Sequence, residues 1–158
     1  LDSGCEFTFA ALEYLYDAYL PDPPPAFENA FLMCNRVSWL LNELASYEKE
    51  AVQEGGWTNL VHILEESGST FEEAADRVVD VANESLKEML ACQDAMTADD
   101  DRLQRALQLN FKGLCNGVIG GYEWTTRATN RYRSETSPFP ELRGLLPQKK
   151  LDKSFLLG

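Results

Sequence analysis

The sequence predicts an all-α protein, a helical bundle of five helices in one domain. Apolar residues recur at three- and four-residue steps along the chain, the pattern of amphipathic helices. No segment shows the alternation of apolar and polar residues that marks a half-buried strand. The 158 residues, 44% hydrophobic and 25% charged, suit one globular core and leave no room for two.

Helix-breaking residues delimit the first three helices. The first helix is predicted over residues 5–19, and prolines at positions 21, 23, 24 and 25 end it. The second is predicted over residues 27–53, where Gly55 and Gly56 stop it. A shorter third helix is predicted over 58–66. Because the first helix begins so close to Leu1, we expect that a preceding segment has been removed.

Capping signals place the last two helices. Ser69 and Thr70 each have a glutamate three positions later, the capping box that opens a helix, here predicted to reach residue 96. Thr97 and the aspartates at 99–101 supply a cap and first-turn negative charge for a last helix, predicted to reach residue 133. Glycines at 113, 117, 120 and 121 would let that helix kink, or let a backbone or ligand approach closely.

The chain beyond these helices has a different composition. Prolines at positions 138, 140 and 147 break any helix, and the lysines at 149, 150 and 153 make the end basic. This end is either a cap over the body or a disordered tail. We therefore divide the chain into a helical body, residues 1–133, and a C-terminal tail or cap segment, residues 134–158.

The charge balance and the cysteines exclude several classes of function. Lys and Arg number 14 against 26 Asp and Glu, a net charge of −12 that repels phosphate backbones, so no nucleic acid partner is expected. No apolar stretch is long enough to span a membrane and no signal peptide is visible, which predicts a cytoplasmic protein. The cysteines at 5, 34, 92 and 115 lack zinc or disulfide spacing and are predicted to be buried thiols. An anionic substrate would need local cations or a bound metal.

One face of the second helix carries a polar constellation. At about 100° per residue, Asn42, Ser46, Lys49 and Glu50 fall within one arc of the helix. An amide, a hydroxyl and a carboxylate about 6 Å apart along the axis are oxygen ligands suited to Mg²⁺ that also binds phosphate oxygens. Taken alone, the same spacing is more often an ordinary solvated helix face.

These residues resemble the (N/D)-D-x-x-(S/T)-x-x-x-E metal motif of microbial class I terpene synthases. Asn42, Ser46 and Glu50 match its three ligand positions, and Glu43 stands where the motif usually has Asp. The resemblance implies that these three residues bind one Mg²⁺, or Mn²⁺ in its place. It also implies that Lys49, directly before the final glutamate, contacts the substrate diphosphate.

A second signature lies near the end of the last predicted helix. Arg131-Tyr132 resembles the Arg-Tyr pair of the same enzymes. The number of residues between Glu50 and this pair is close to the number between the two motifs in the family. The resemblance implies a catalytic role in which both side chains donate to diphosphate, and the guanidinium suits phosphate oxygens. Asp2-Ser3-Gly4 is similar to the stretch that carries the family's effector glycine, which implies that role for Gly4. The resemblance spans residues 1–133.

The resemblance implies the C-terminal part of the class I terpenoid synthase fold. The implied activity is a Mg²⁺-dependent terpene cyclase, a lyase that ionises and cyclises an isoprenoid diphosphate, most commonly farnesyl diphosphate, to a sesquiterpene. The family's D-D-x-x-(D/E) motif is absent, and we reject the aspartates at 99–101 as ligands because a helix cap explains them. The chain is therefore expected to be incomplete and inactive alone, requiring a missing N-terminal half or a homodimer.

Two alternatives remain open from sequence: a non-catalytic helical interaction protein and an inactive relic of such an enzyme. Asn42 and Ser46 argue against a chain-elongating prenyl synthase, which uses two Asp-rich motifs. Other polar and aromatic residues receive only weak predictions. Ser38 and Asn35 either line the substrate pocket or form buried hydrogen bonds, Tyr122 and Trp124 are candidate pocket aromatics with Trp124 left unassigned, and His62 is expected to be structural.

Overall fold

The computed structural model describes residues 5–146, with side chains for residues 10, 11 and 13–146. Within 5–146 there are five α-helices and no strand, which confirms the predicted all-α bundle. None of these helices combines the length and apolarity needed to cross a membrane. The helices are α1 (Cys5–Tyr16), α2 (Pro25–Tyr47), α3 (Leu60–Glu66), α4 (Phe71–Ala91) and α5 (Asp101–Glu123).

Helix α2 is the centre of the bundle, between α4 and α5. The ring of Tyr47, at its C-terminal end, is 5.0 Å from the ring of Phe71, at the start of α4. The two helices therefore run antiparallel. The middle of α2 lies beside the middle of α5, where the Cys34 thiol donates to the Leu114 carbonyl. The main core fills the space between these helices and consists of buried residues such as Phe27, Met33, Val37, Met89, Leu107, Phe111 and Leu114.

Several helix ends differ from the predicted ones. The first helix stops at Tyr16 instead of residue 19, because Asp17 takes a left-handed backbone conformation with φ of 49°. The fourth stops at Ala91 instead of residue 96 and is followed by a single 3₁₀ turn. The capping box belongs to Thr70 and Glu73, while the last helix is capped by Asp100, whose carboxylate accepts from Leu103 N–H. Thr97 has no such role, because helix α5 begins four residues after it.

Both long helices that lead to the predicted site end in π-helical turns. Beyond α2, residues Glu48–Gln53 form wider turns, closed where Glu54 N–H donates to the Lys49 carbonyl at 3.0 Å. Gly56 then lies so close to the backbone of Glu50 that an added Cβ would be 2.8 Å from the Glu50 carbonyl oxygen. Beyond α5, Trp124–Ala128 is also π-helical. The chain then leaves the helix, so the prediction of a helix to residue 133 is wrong, and Arg131 and Tyr132 lie in a turn.

The segment after α5 folds back over the end of α2. Its base is closed by a reciprocal pair of hydrogen bonds between Asn130 and the backbone of Leu146, at 2.8 and 3.2 Å. Leu142 packs with Ala45 and Tyr132 in a small apolar cluster. On the same side, the buried Glu48 carboxylate accepts from Thr136 and Ser134 hydroxyls. Residues 134–146 therefore cover the body; the predicted basic end at 149–153 lies outside the described residues.

The structure also bears on the predictions for the cysteines and for the glycines of the last helix. The thiol of Cys34 is buried as predicted, whereas Cys92 and Cys115 are only half-buried, since they lie toward the rim of the core. Gly120 and Gly121 sit in regular helix with nothing within 4 Å of an added Cβ. No described backbone therefore approaches the helix at these two positions, and no contact within the described chain requires glycine there.

Candidate functional site

The two sequence motifs meet at one end of the bundle. The Tyr132 hydroxyl donates to the Asn42 amide oxygen at 3.0 Å, which joins residues 90 positions apart in the chain. Tyr132 is only 8% exposed, so its hydroxyl is held in this position by packing, and the Arg131 guanidinium carbon lies 5.4 Å from the centre of its ring. The C-terminal ends of α2 and α5 therefore bring the predicted metal-binding and diphosphate-binding residues together.

Ser46 lies one turn further along α2, and Glu50 lies in the π-helical turn that follows the helix. Ser46 is fully buried, and its hydroxyl donates to Glu50 Oε2 at 2.8 Å. The same hydroxyl oxygen lies 3.4 Å from the Asn59 amide nitrogen, which donates to it. Although Glu50 belongs to the π-helical turn, this i, i+4 contact keeps it on the same side as Ser46. Ser46 and Glu50 are thus in direct contact, Glu50 is half-buried, and Asn42, the third residue of the predicted trio, lies one turn before Ser46 and is exposed.

The donor set fits a hard divalent cation. A hydroxyl has one proton and two lone pairs, and Ser46 uses the proton on Glu50 and one lone pair on Asn59. The Asn42 oxygen uses one of its two lone pairs on Tyr132. The Glu50 carboxylate accepts one hydrogen bond, through Oε2, among the described residues. Each of the three side chains therefore retains an oxygen lone pair, and amide, hydroxyl and carboxylate oxygens suit Mg²⁺.

A further carboxylate lies beside the trio. Glu43 is 7% exposed and accepts a hydrogen bond from Leu60 N–H at 2.6 Å, at the start of α3. Burial raises the pKa of Glu43, the hydrogen bond from Leu60 works in the opposite direction, and the nearby Glu50 charge raises it further. Two carboxylates share this end of α2, an arrangement that a bound cation would stabilise.

The two predicted cations are placed differently. Lys49 Nζ lies 3.5 Å from Glu54 Oε1, and the two side chains form an ion pair at the end of the π-helical turn. Arg131 is exposed, and no described residue gives its guanidinium a carboxylate or carbonyl partner. Of the two, Arg131 is the cation that lies directly beside the Asn42–Tyr132 contact. Gly4 lies outside the described residues.

An open cavity of about 440 Å³ adjoins the meeting point of the motifs. Asn42, Tyr132 and Trp124 all line it, and the Trp124 and Tyr132 rings meet edge to face with centroids 6.2 Å apart. Ser38 also lines it, whereas Tyr122 lines a separate depression beside Leu142. Asn35 is buried with no described hydrogen-bond partner for its side-chain oxygen. Trp39 lines the cavity as well, so a polar rim is combined with three aromatic side chains.

Sequence reasoning missed Asn59, placed Glu43 in the metal motif without giving it a role, and left Trp124 unassigned. Asn59 directly precedes α3 as its N-cap, a signal visible in the sequence as an Asn before an apolar run. His62, 4.0 Å from a Glu65 oxygen, has no contact with the trio. Among the described side chains no group of three His, Cys, Asp or Glu could hold a metal. The Asp100 carboxylate caps helix α5.

Comparison with known families agrees with the geometry. Residues 1–88 match the family model described as terpene synthase family 2, C-terminal metal binding. The matched region is more than half of the chain and contains Asn42, Ser46 and Glu50. Searches of curated proteins and of solved structures each found no match. The chain belongs to the terpene synthase family, as a C-terminal portion of the metal-binding kind.

Proposed function

We propose that this chain supplies the diphosphate-facing half of a Mg²⁺-dependent class I terpene cyclase. Asn42, Ser46 and Glu50 bind one Mg²⁺, with Mn²⁺ as a substitute, and Arg131 and Tyr132 bind the diphosphate. The observation that carries the proposal is the 3.0 Å hydrogen bond from Tyr132 to Asn42, because it brings the two motifs to one place. The family match supports the metal-binding half of this assignment and ends before Arg131.

The proposed reaction begins with departure of the diphosphate from an isoprenoid chain. Asn42, Ser46 and Glu50 would hold a Mg²⁺, which would neutralise the charge that develops on the leaving diphosphate. The exposed Arg131 guanidinium donates to diphosphate oxygens, for which its planar fork is suited. Lys49 contributes its charge once it releases Glu54, with which it now pairs. In this scheme Gly4 retains the effector role that the resemblance implies.

Tyr132 has a single phenolic proton, now donated to Asn42. If the phenol donates to a diphosphate oxygen instead, the Asn42 oxygen gives up that hydrogen bond and regains a lone pair for the metal. Ligand binding thus replaces the hydrogen bond between Tyr132 and Asn42 by a hydrogen bond from Tyr132 to diphosphate and a contact of the Asn42 oxygen with the metal. Trp124 and Tyr132 present aromatic faces near the cavity, and each such face stabilises a carbocation by about 0.5–2 kcal/mol.

The sequence of this chain holds no D-D-x-x-(D/E) pattern, the other metal motif of the family. We therefore propose that this chain alone does not convert farnesyl diphosphate to a cyclised hydrocarbon, and that it acts with an N-terminal half or with a second copy. Farnesyl diphosphate and a sesquiterpene product are proposed as the commonest choice in similar enzymes, and the cytoplasmic location remains a prediction.

The proposal is tested by thermal melting of the chain with Mg²⁺ and inorganic diphosphate. We expect a higher melting temperature with both ligands, because they bind the folded state only. Glu50→Gln and Arg131→Ala should abolish the increase. Glu84→Gln on α4 and Arg102→Ala on α5 make the same charge changes on exposed positions far along the bundle and should preserve it. An unchanged melting temperature for the parent chain would contradict the proposal.

A non-catalytic interaction protein is the second candidate, favoured by exposed aromatic and aliphatic side chains. Tyr14 is 87% exposed, and Leu15 and Tyr19 beside it are also largely exposed, which is unusual for side chains of this size. If this surface is the functional one, the chain should self-associate or bind a protein partner through α1 and show no thermal response to Mg²⁺ with diphosphate. The melting experiment therefore separates the two candidates.

A further inference from the structure

Asn59 is the most deeply buried polar side chain that touches the trio without belonging to it, at 1% exposure. Its oxygen accepts from the backbone N–H groups of Val61 and His62, at 3.0 and 3.4 Å. Its amide nitrogen donates to the Glu43 carbonyl at 2.8 Å and to the Ser46 hydroxyl oxygen at 3.4 Å. Both acceptor positions and both donor hydrogens of this side chain are therefore used.

This set of partners fixes the orientation of the amide. Turning it over would place the oxygen against the Glu43 carbonyl and the nitrogen against two backbone N–H groups, leaving buried polar groups without partners. The orientation decides what Ser46 can do. Because Asn59 donates to the Ser46 oxygen, the Ser46 proton must be directed elsewhere, and it is donated to Glu50 at 2.8 Å.

We propose that Asn59 is a positioning residue for the metal site. It holds the Ser46 hydroxyl in the rotamer and proton orientation that leaves one oxygen lone pair for the cation. It also ties the start of α3 to α2, together with the Leu60 N–H bond to Glu43. This inference rests on the proposed function, in which Ser46 is a ligand, and it adds a residue outside the three-ligand motif.

The chemistry of the cap separates this role from a purely structural one. Capping α3 requires only an oxygen acceptor, and serine or aspartate does this about as well as asparagine. The two donors toward α2 require the amide. Asn59→Ser keeps a capping oxygen and adds no charge, but its side chain is too short to reach Ser46. Asn59→Asp keeps the size and the cap and loses the donors when ionised.

The experiment measures Mn²⁺ affinity of the full chain in the presence of inorganic diphosphate, from the electron paramagnetic resonance signal of free and bound Mn²⁺. We expect both Asn59 variants to weaken Mn²⁺ binding by about tenfold or more, the usual effect of removing a partner that orients a metal ligand. For Asn59→Asp the added negative charge alone would strengthen binding, so a weaker affinity cannot be a charge effect.

Thr70→Ala is the matched control, because it removes the cap of a different helix, α4, and lowers stability without removing a hydrogen bond to Ser46. Its Mn²⁺ affinity should equal that of the parent chain. A metal-free measurement adds a second test: the melting temperature of Asn59→Ser combined with Ser46→Ala should fall by less than the sum of the single changes, because the two side chains share one hydrogen bond.

The outcomes are distinct. Binding by the parent chain, with tight binding retained by the Asn59 variants, would overturn the positioning role and leave the metal site standing. Strictly additive melting temperatures would overturn it as well. An absence of Mn²⁺ binding by the parent chain would overturn the proposed function itself, and the positioning role with it. Weaker binding in both variants, with an unchanged Thr70→Ala affinity, supports the inference.

Discussion

Tyr132→Phe tests the hydrogen bond that joins the two motifs. The change removes one hydroxyl and keeps the ring, with its edge-to-face contact to Trp124 and its position beneath Arg131. Asn42 is exposed, so water can replace the lost donor, and the cost falls in the lower part of the usual range of about 0.5–1.5 kcal/mol. For a chain of this size we expect the melting temperature to fall by about 1–3 °C.

Tyr132→Phe should affect the affinity for Mn²⁺ alone and the affinity for Mn²⁺ with diphosphate in different ways. Without the phenolic proton, the Asn42 oxygen keeps both lone pairs, so Mn²⁺ alone should bind as well as to the parent chain or more tightly. With diphosphate present, the variant lacks a hydrogen bond to a charged oxygen. Such a bond contributes about 1.5–3 kcal/mol, so the affinity for Mn²⁺ with diphosphate should fall by about 10- to 100-fold.

Isothermal titration calorimetry with Mn²⁺, with and without inorganic diphosphate, measures both effects. Tyr47→Phe is the matched control, because it also removes a tyrosine hydroxyl bonded to an acceptor, Glu65 Oε2 at 2.8 Å, on the side of α2 that packs against Phe71. It should lower stability and leave both affinities unchanged. Equal diphosphate affinities for Tyr132→Phe and the parent chain, or weaker binding of Mn²⁺ alone, would refute the exchange of hydrogen bonds at Asn42.

Three further predictions concern stability, each measured by thermal melting. Thr70→Ala should cost about 0.5–2 kcal/mol, because it removes one half of a complete capping box. Gly56→Ala should cost about 1–3 kcal/mol by forcing a Cβ against the Glu50 carbonyl, whereas Gly120→Ala meets open space in a helix and should stabilise by up to about 1 kcal/mol. Burial raises the pKa of Cys115, so its thiol stabilises the fold below the ordinary thiol pKa, and that contribution is lost as pH rises through the raised pKa. Cys115→Ala should therefore reduce the loss of melting temperature at alkaline pH.

The number and order of the helices were predictable because their signals are local. Breakers, caps and helical periodicity act within a few residues, as at Thr70, where the predicted box forms. The errors lie where tertiary contacts decide. The left-handed Asp17 ends α1 early, and a site such as Gly56 controls how the chain leaves the π-helical turn after α2. No periodic pattern in the sequence records either feature.

The site was predictable in part for the same reason. Helix geometry alone places Asn42 and Ser46 on one side of α2, whereas Glu50 lies in the π-helical turn and is joined to Ser46 by a hydrogen bond. Their meeting with Tyr132 could be anticipated only through the resemblance, since no local rule joins positions 90 residues apart. The position of Trp124 could not be predicted from a regular helix to residue 133. Its ring meets the Tyr132 ring after a π-helical turn at Trp124–Ala128 and the turn that follows.

The charges at this end of the bundle determine how the site can act. The carboxylates of Glu43, Glu48 and Glu50 lie within two turns of one another, and Lys49 is already paired with a carboxylate, so Arg131 is the cation most available to an anion here. A net charge of −12 on the whole chain adds to the repulsion of diphosphate. A divalent cation bound by the trio would offset this local negative charge. We therefore expect diphosphate to bind only together with the metal or after it.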